Sequence, residues 1–237
     1  MRKGLALLVI AGFMLFSIAS CGGSSEREDA GNTPENPDQY AQADYSDDYE
    51  DESYRDYGEE KITKAKFKPF PIYTDGRSPD NHYIPSGYMG DSPDVKIMIS
   101  SFENPHGGTT CIKIVYSNAV TQGSRWAGVY WQNPANNWGD RLGGFDLTGA
   151  TKLSFWARGE LGGERIEEFK LGGITGMYPD TDIAGIGPVL LTEDWKQYEI
   201  DLRGKDLSYI NGGFCWSSNI DVNPEGITFY LDDIRYE

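Results

Sequence analysis

The chain has 237 residues and carries 37 acidic against 21 basic side chains, a net charge of −16. That balance argues against a nucleic-acid partner, which calls for a basic face to neutralise phosphates. Aromatic residues make up 13% and glycines number 29, against only two histidines. This is the profile of a turn-rich β protein, with little material for a histidine-based metal site or catalytic triad.

Arg2 and Lys3 precede a run of 16 apolar or small residues, Gly4–Ala19, which leads into Ser20 and Cys21. The run is shorter than the ~20 apolar residues of a spanning helix, and its flanks make residues 1–20 a secretory signal. A Cys directly after the small residues resembles a bacterial lipobox, so Cys21 is the expected site of lipidation and of attachment to the membrane. Gly22 follows rather than an Asp, which points to the outer membrane or cell surface of a bacterium.

Beyond Cys21, residues 22–60 hold 14 acidic side chains against Arg27 and Arg55, and no Ile, Leu, Val, Phe or Trp. Such a segment buries too little apolar surface to offset its ordering entropy, and self-repulsion extends it. Residues 21–60 are therefore expected to be a disordered acidic linker. Tyr40, Tyr45, Tyr49, Tyr54 and Tyr57 punctuate it; a solvated spacer accounts for them, with a calcium- or partner-docking strip as the alternative. Taking −12 here and +2 in the signal from the total leaves −6 for residues 61–237, a mildly acidic domain.

Those remaining 177 residues contain all six tryptophans and are long enough for a sizeable core. Alternating apolar patterns recur at Val95–Ile99, Ile112–Tyr116, Leu153–Ala157, Tyr198–Leu202 and Ile227–Leu231. Turn signals separate them: Asn104-Pro105-His106-Gly107-Gly108, Asn133-Pro134, Leu161-Gly162-Gly163, Asn211-Gly212-Gly213 and Asn223-Pro224-Glu225-Gly226. Short strands broken by such turns predict an all-β sandwich, and no segment sustains a helical stripe.

The run from Gly144 to Gly159, with its Leu153-Ser154-Phe155-Trp156-Ala157-Arg158 core, resembles the middle of a galactose-binding-like jelly-roll domain. Leu191–Leu202 continues the likeness, and Phe229-Tyr230-Leu231-Asp232-Asp233-Ile234 is similar to the closing strand of carbohydrate-binding modules of the family 4, 11 and 22 kind. The resemblance spans about residues 83–237. It implies a jelly-roll β-sandwich and sugar binding, although such folds also serve other roles. It also implies a structural calcium held by the final-strand carboxylates Asp232 and Asp233. Strand parity places Leu231 and Asp233 on the core-facing side, where a carboxylate needs a cation, several donors or an Arg. Asp91 is a candidate second ligand.

Signatures of enzymes are missing: no His-Glu-x-x-His, no Gly-x-Ser-x-Gly, no phosphate-binding Gly-Lys-Ser/Thr loop and no Cys-x-x-Cys. Glu164, Glu167 and Glu168 are the carboxylates a glycosidase reading would need, and nothing in their spacing sets the required separation. Glu199 and Asp201 share a solvated strand face, and His82 and His106 read as loop residues. The chain is therefore expected not to be an enzyme.

Sugar binding needs flat aromatic faces for pyranose C–H groups and planar polar groups for hydroxyls. Period-2 alternation places Ala127, Val129 and Trp131 in the core and Trp126, Tyr130 and Gln132 on the other face; Leu153, Phe155 and Ala157 are core, leaving Trp156 and Arg158 outward. Trp126, Tyr130, Gln132, Trp156 and Arg158 thus form the expected ligand platform, with Glu168 and Asp180 as further polar candidates and Trp138 as a loop residue able to gate a cleft. The alternative is that Trp126 and Trp156 merely cover loops or an edge. Cys111 and Cys215 fall opposite the apolar residues of their strands, where they either pair as a disulfide or remain separate thiols. The expected function is non-catalytic polysaccharide binding by a lipid-anchored, exported protein. An envelope lipoprotein whose sandwich holds a protein partner is the alternative.

Overall fold

Residues 66–237 are the part of the chain that the computed structural model describes. The signal, Cys21 and the acidic segment lie outside the described residues. The strands are β1 (Phe70–Tyr73), β2 (Ile84–Gly90), β3 (Val95–Ser101), β4 (Cys111–Tyr116), β5 (Trp126–Gln132), β6 (Lys152–Gly159), β7 (Arg165–Ile166), β8 (Glu168–Gly172), β9 (Ile183–Ile186), β10 (Val189–Leu190), β11 (Lys196–Asp201), β12 (Gly212–Asn219) and β13 (Ile227–Tyr236), and the five predicted alternations fall at β3, β4, β6, β11 and β13. Among the described residues the only helical element is one 3-10 turn, Ser92–Asp94. Asn211-Gly212-Gly213, a turn by sequence, instead opens β12 with a register shift between Gly212 and Phe214.

Two antiparallel sheets face each other. One runs β11-β6-β13-β4-β3, with β1 also pairing β13; the other runs β2-β5-β12-β8-β9. The chain is an all-β sandwich. Alternation buries one side of each sheet, and the buried sides meet. Leu153, Phe155 and Ala157 from β6 and Phe229 and Leu231 from β13 oppose Ala127, Val129 and Trp131 from β5 and Phe214 and Trp216 from β12, all of them at most 1% exposed. Aromatic rings interlock across the gap: Phe155 lies 5.2 Å from Phe214, and Trp216 lies edge-on to Phe229 at 5.0 Å.

β5 and β6 are consecutive in the chain yet belong to different sheets. The outward residues of the two strands therefore occupy opposite outer surfaces of the sandwich.

Candidate functional site

The outer surface of the five-stranded sheet carries one half of the predicted platform. The turn entering β5 is fixed from below by Asp91, fully buried, whose carboxylate accepts backbone N–H groups of Gln122 (2.9 Å), Ser124 (3.0 Å) and Arg125 (2.6 Å). Asp91 N–H in turn donates to the Trp126 carbonyl at 2.8 Å. Gly90 is left-handed (φ +63°), and a Cβ there would sit 2.1 Å from the same carbonyl, so only glycine lets β2 approach Trp126 this closely. The Trp126 side chain is held on the outer face and is 41% exposed.

Register places Met89, Gly128, Ser217 and Glu168 side by side across β2, β5, β12 and β8. At ~4.8 Å per strand this row is about 14 Å long. Its floor carries little net charge, because Glu168 Oε2 lies 3.0 Å from Lys170 Nζ. Two residues further along β5 the face is covered. Tyr130 is 5% exposed, its hydroxyl donates to the Gly172 carbonyl (3.0 Å), and it packs with Ile174 and Cys215. Burial pushes the Tyr130 phenol well above its ordinary range.

Gln132 is wholly buried. Its amide donates to the Asn137 carbonyl at 3.0 Å and accepts from Ser86 Oγ at 3.0 Å, so it braces a loop and offers nothing to a ligand. The loop it braces ends in Trp138, which stands edge-on to Tyr130 at 5.9 Å and is 42% exposed. Asn137 Nδ2 donates to Asn211 Oδ1 (3.0 Å) and the Arg141 carbonyl (3.0 Å). Asp180 accepts backbone N–H groups of Ile174 (2.8 Å), Gly212 (3.3 Å) and Asn211, while burial holds its carboxyl above the ordinary range. Asp180 is therefore an anchor for the covering loops. The result is an open row that begins at Trp126 and is closed off at Tyr130, about 13 Å further along β5, by the loop that carries Trp138.

Trp156 and Arg158, expected beside these residues, lie on the other sheet. The physical reason is the crossover after β5: parity assigns a side chain to a face, and the crossover turns that face to the opposite surface. There the segment following β3 straps over them. His106 stacks on Trp156 (3.8 Å, 18° between planes), and Trp195 Nε1 donates to the Asn104 carbonyl at 2.8 Å. Arg158, 7% exposed, lies 3.7 Å over the Tyr230 ring and donates to the Glu103 carbonyl at 3.1 Å. A single platform of Trp126, Tyr130, Trp156 and Arg158 is not formed.

Asp232 and Asp233, the expected calcium ligands, are both engaged with protein donors. Asp232 is fully buried, and its oxygens accept backbone N–H groups of His106 (2.9 Å), Gly107 (3.1 Å) and Asp233 (2.9 Å). Three N–H donors occupy most of its lone-pair sites. Asp233 sits at an irregularity of β13 with φ +48°, turned from the core toward His106 Nδ1 (2.9 Å) and Arg235 (3.7 Å). Asp91 is likewise ringed by N–H groups. Among the described residues, no three His, Cys, Asp or Glu side chains converge to hold a metal. Cys111 and Cys215 are free and buried on different sheets, which resolves the open alternative in favour of separate thiols.

Sequence reasoning missed Met89, Ser217 and Lys170. β2, Ile-Pro-Ser-Gly-Tyr-Met-Gly, shows no alternation, and only its register with β5 shows that Met89 flanks Gly128.

No protein-family model and no curated protein matches the sequence. Solved structures of similar shape include a family 30 carbohydrate-binding module (18% identity over 72% of this chain and 88% of that chain, TM-score 0.49). Others are a family 11 carbohydrate-binding module from Clostridium thermocellum in complex with a β-1,3-1,4-mixed-linked tetrasaccharide (16%, 60% and 80%, TM-score 0.39) and a family 29 variant complexed with mannohexaose (9%, 71% and 90%, TM-score 0.41). These are carbohydrate-binding modules, and the likeness is one of shape: a two-sheet β-sandwich.

Proposed function

We propose that the sandwich is a non-catalytic carbohydrate-binding module, carried by an exported protein anchored through a lipid on Cys21. The observation that carries this reading is the pair of exposed tryptophans, Trp126 at the start of β5 and Trp138 over Tyr130 further along it, beside a row of nearly neutral floor. Tryptophan faces stack on pyranose C–H surfaces, and Ser217, Asn219 and the Glu168–Lys170 pair supply hydroxyl partners without excess charge. A polysaccharide lies across the strands, over Met89, Gly128, Ser217 and Glu168, because the Trp138 wall blocks travel along β5. Lipobox and acidic spacer support display at a bacterial surface, where many copies raise a weak affinity.

The test is titration against a panel of soluble and insoluble polysaccharides, following pull-down and tryptophan fluorescence. Trp126→Ala abolishes binding and leaves the fold intact, while Trp156→Ala binds as the parent does. Loss in Trp156→Ala with retention in Trp126→Ala would move the site to the other sheet.

A protein partner is the second reading. Its motivation is the apolar patch of Met98 (43% exposed), Ile99 (43%) and Phe102 (78%) along and just beyond β3, an edge strand. That reading expects no polysaccharide affinity and stable co-purification with one partner.

A further inference from the structure

The two large sheets end in β11 and β3 and in β2 and β9. An edge strand presents unpaired backbone N–H and C=O groups, and proteins blunt such edges with charges, proline, bulges or short strands. β11 is blunted by exposed Lys196, Glu199 and Asp201, β2 by Pro85 and the register shift after it, and β9 by its length of four residues with Pro188 just beyond. β3 is left open. It carries one charge, Lys96, and then becomes exposed and apolar at Met98 and Ile99, with Phe102 immediately past its end.

The open stretch has two defined ends. At its start Asp94 is buried and accepts the Thr121 N–H at 2.8 Å. At its far end the Tyr73 hydroxyl donates to the Ile99 carbonyl at 2.8 Å, and a Cβ on Gly76 would lie 2.5 Å from the same oxygen. The irregularity of β3 begins after Met98, where this segment already covers the strand. Between the two ends Val95–Met98 pairs with β4 alone among the described residues. These residues span about 13 Å, the length of a short extended peptide. Lys96 at one end and Arg77, next to Gly76, at the other are exposed and enter no ion pair among the described residues, whereas Lys113 behind Met98 is already paired with Glu103 at 2.6 Å. On a chain of negative net charge, cations left free at both ends of an apolar strip are complementary to an acidic partner.

We propose that β3 is a docking edge for an extended peptide of a protein partner, one with alternating apolar side chains and a carboxylate toward each end. Its backbone adds a strand beside Val95–Met98, its apolar residues cover Met98, Ile99 and Phe102, and its carboxylates meet Lys96 and Arg77. The inference rests on the apolar patch of the partner reading and not on an absence of sugar affinity, because β3 and the Trp126 row lie on different sheets.

The full chain is titrated by fluorescence anisotropy with the labelled peptide acetyl-Asp-Val-Tyr-Val-Tyr-Asp-amide. The peptide binds, and added salt weakens it. A peptide ending in Lys at both ends binds about tenfold more weakly. Of two further peptides, N-methylated on the Val pair or on the Tyr pair, one binds and the other does not, since alternate N–H groups face the edge. Lys96→Glu weakens binding about fivefold, Met98→Asp abolishes it, and Trp126→Ala leaves it unchanged. Should Met98→Asp fail to fold, Phe102→Ser, outside the strand, serves in its place. No binding of the acidic peptide, equal binding of the Lys-ended peptide, or equal binding of the two N-methylated peptides would overturn the proposal. A dimer of the full chain that Met98→Asp dissociates would also overturn it, by making the occupant a second copy. A partner that co-purifies with the wild type but not with Phe102→Ser, where the acidic peptide does not bind, would overturn the strand addition and leave the partner reading standing.

Discussion

A single carboxylate illustrates how a residue that stands out by sequence can take a bracing role in the fold. Asp232 stands out by sequence as a carboxylate in a closing strand, and it is buried as a ligand would be. Its three partners are N–H groups, which make it the nail that holds the strap over Trp156. Burial pushes the Asp232 carboxyl up to about 6. A raised folded-state value means that the folded protein holds its proton more tightly than the unfolded chain does. The stabilisation is therefore present below about pH 4 and is lost as pH rises through 6. Asp232→Asn does not titrate, so thermal unfolding from pH 4 to 8 should show the variant gaining on wild type by about 1–2 kcal/mol, after allowance for solvent screening, and levelling above pH 7. A gap independent of pH would contradict this account.

At the scale of elements, the core faces of β4, β5, β6, β11 and β13 were legible in the sequence because period-2 alternation is local. Val129 and Trp131 point inward, as do Phe155 and Ala157, where parity put them. Which sheet a strand joins is decided by pairing with residues that lie more than a hundred positions away in some cases, as for Leu231 with Ile112, and no local pattern encodes it. That is why Trp126 and Trp156 were read as neighbours. Asp233 was misplaced for a related reason: the break in pairing between Asp232 and Arg235 resets parity. The wall over Gln132 was illegible too, since it rests on Asn137 and Asn211, two loop asparagines distinguished only by complete burial. Asn137→Ala removes donors to Asn211 and Arg141 and the acceptor for Gly139 N–H. It should lower stability by about 1–3 kcal/mol and weaken polysaccharide binding through a displaced Trp138. Unchanged affinity in a folded variant would detach the wall from the site.

Across the whole molecule, stability comes from apolar burial between two sheets, with no covalent staple among the described residues. Burial pushes the Cys111 thiol up to about 11 and the Cys215 thiol higher still, so both are protonated and unreactive at neutral pH. Dithiothreitol should leave the melting temperature unmoved, and peptides carrying Cys111 and Cys215 should stay unalkylated by iodoacetamide until denaturant is added. A melting temperature that falls on reduction would mean a disulfide forms after all.

The division of the tryptophans between interior and rim has a spectroscopic consequence. Trp131 and Trp216 are at most 1% exposed, in contact with Phe214 and Phe229, whereas Trp126 and Trp138 are each about two-fifths exposed. An aqueous quencher such as iodide reaches the second pair and not the first. Once Trp156 and Trp195, half-buried beside the other sheet, are replaced by Phe, the red, quenchable part of the emission reports what sits on the outer face of the five-stranded sheet, and the blue, protected part reports whether the two sheets remain together, so occupancy and unfolding can be followed separately in one cuvette.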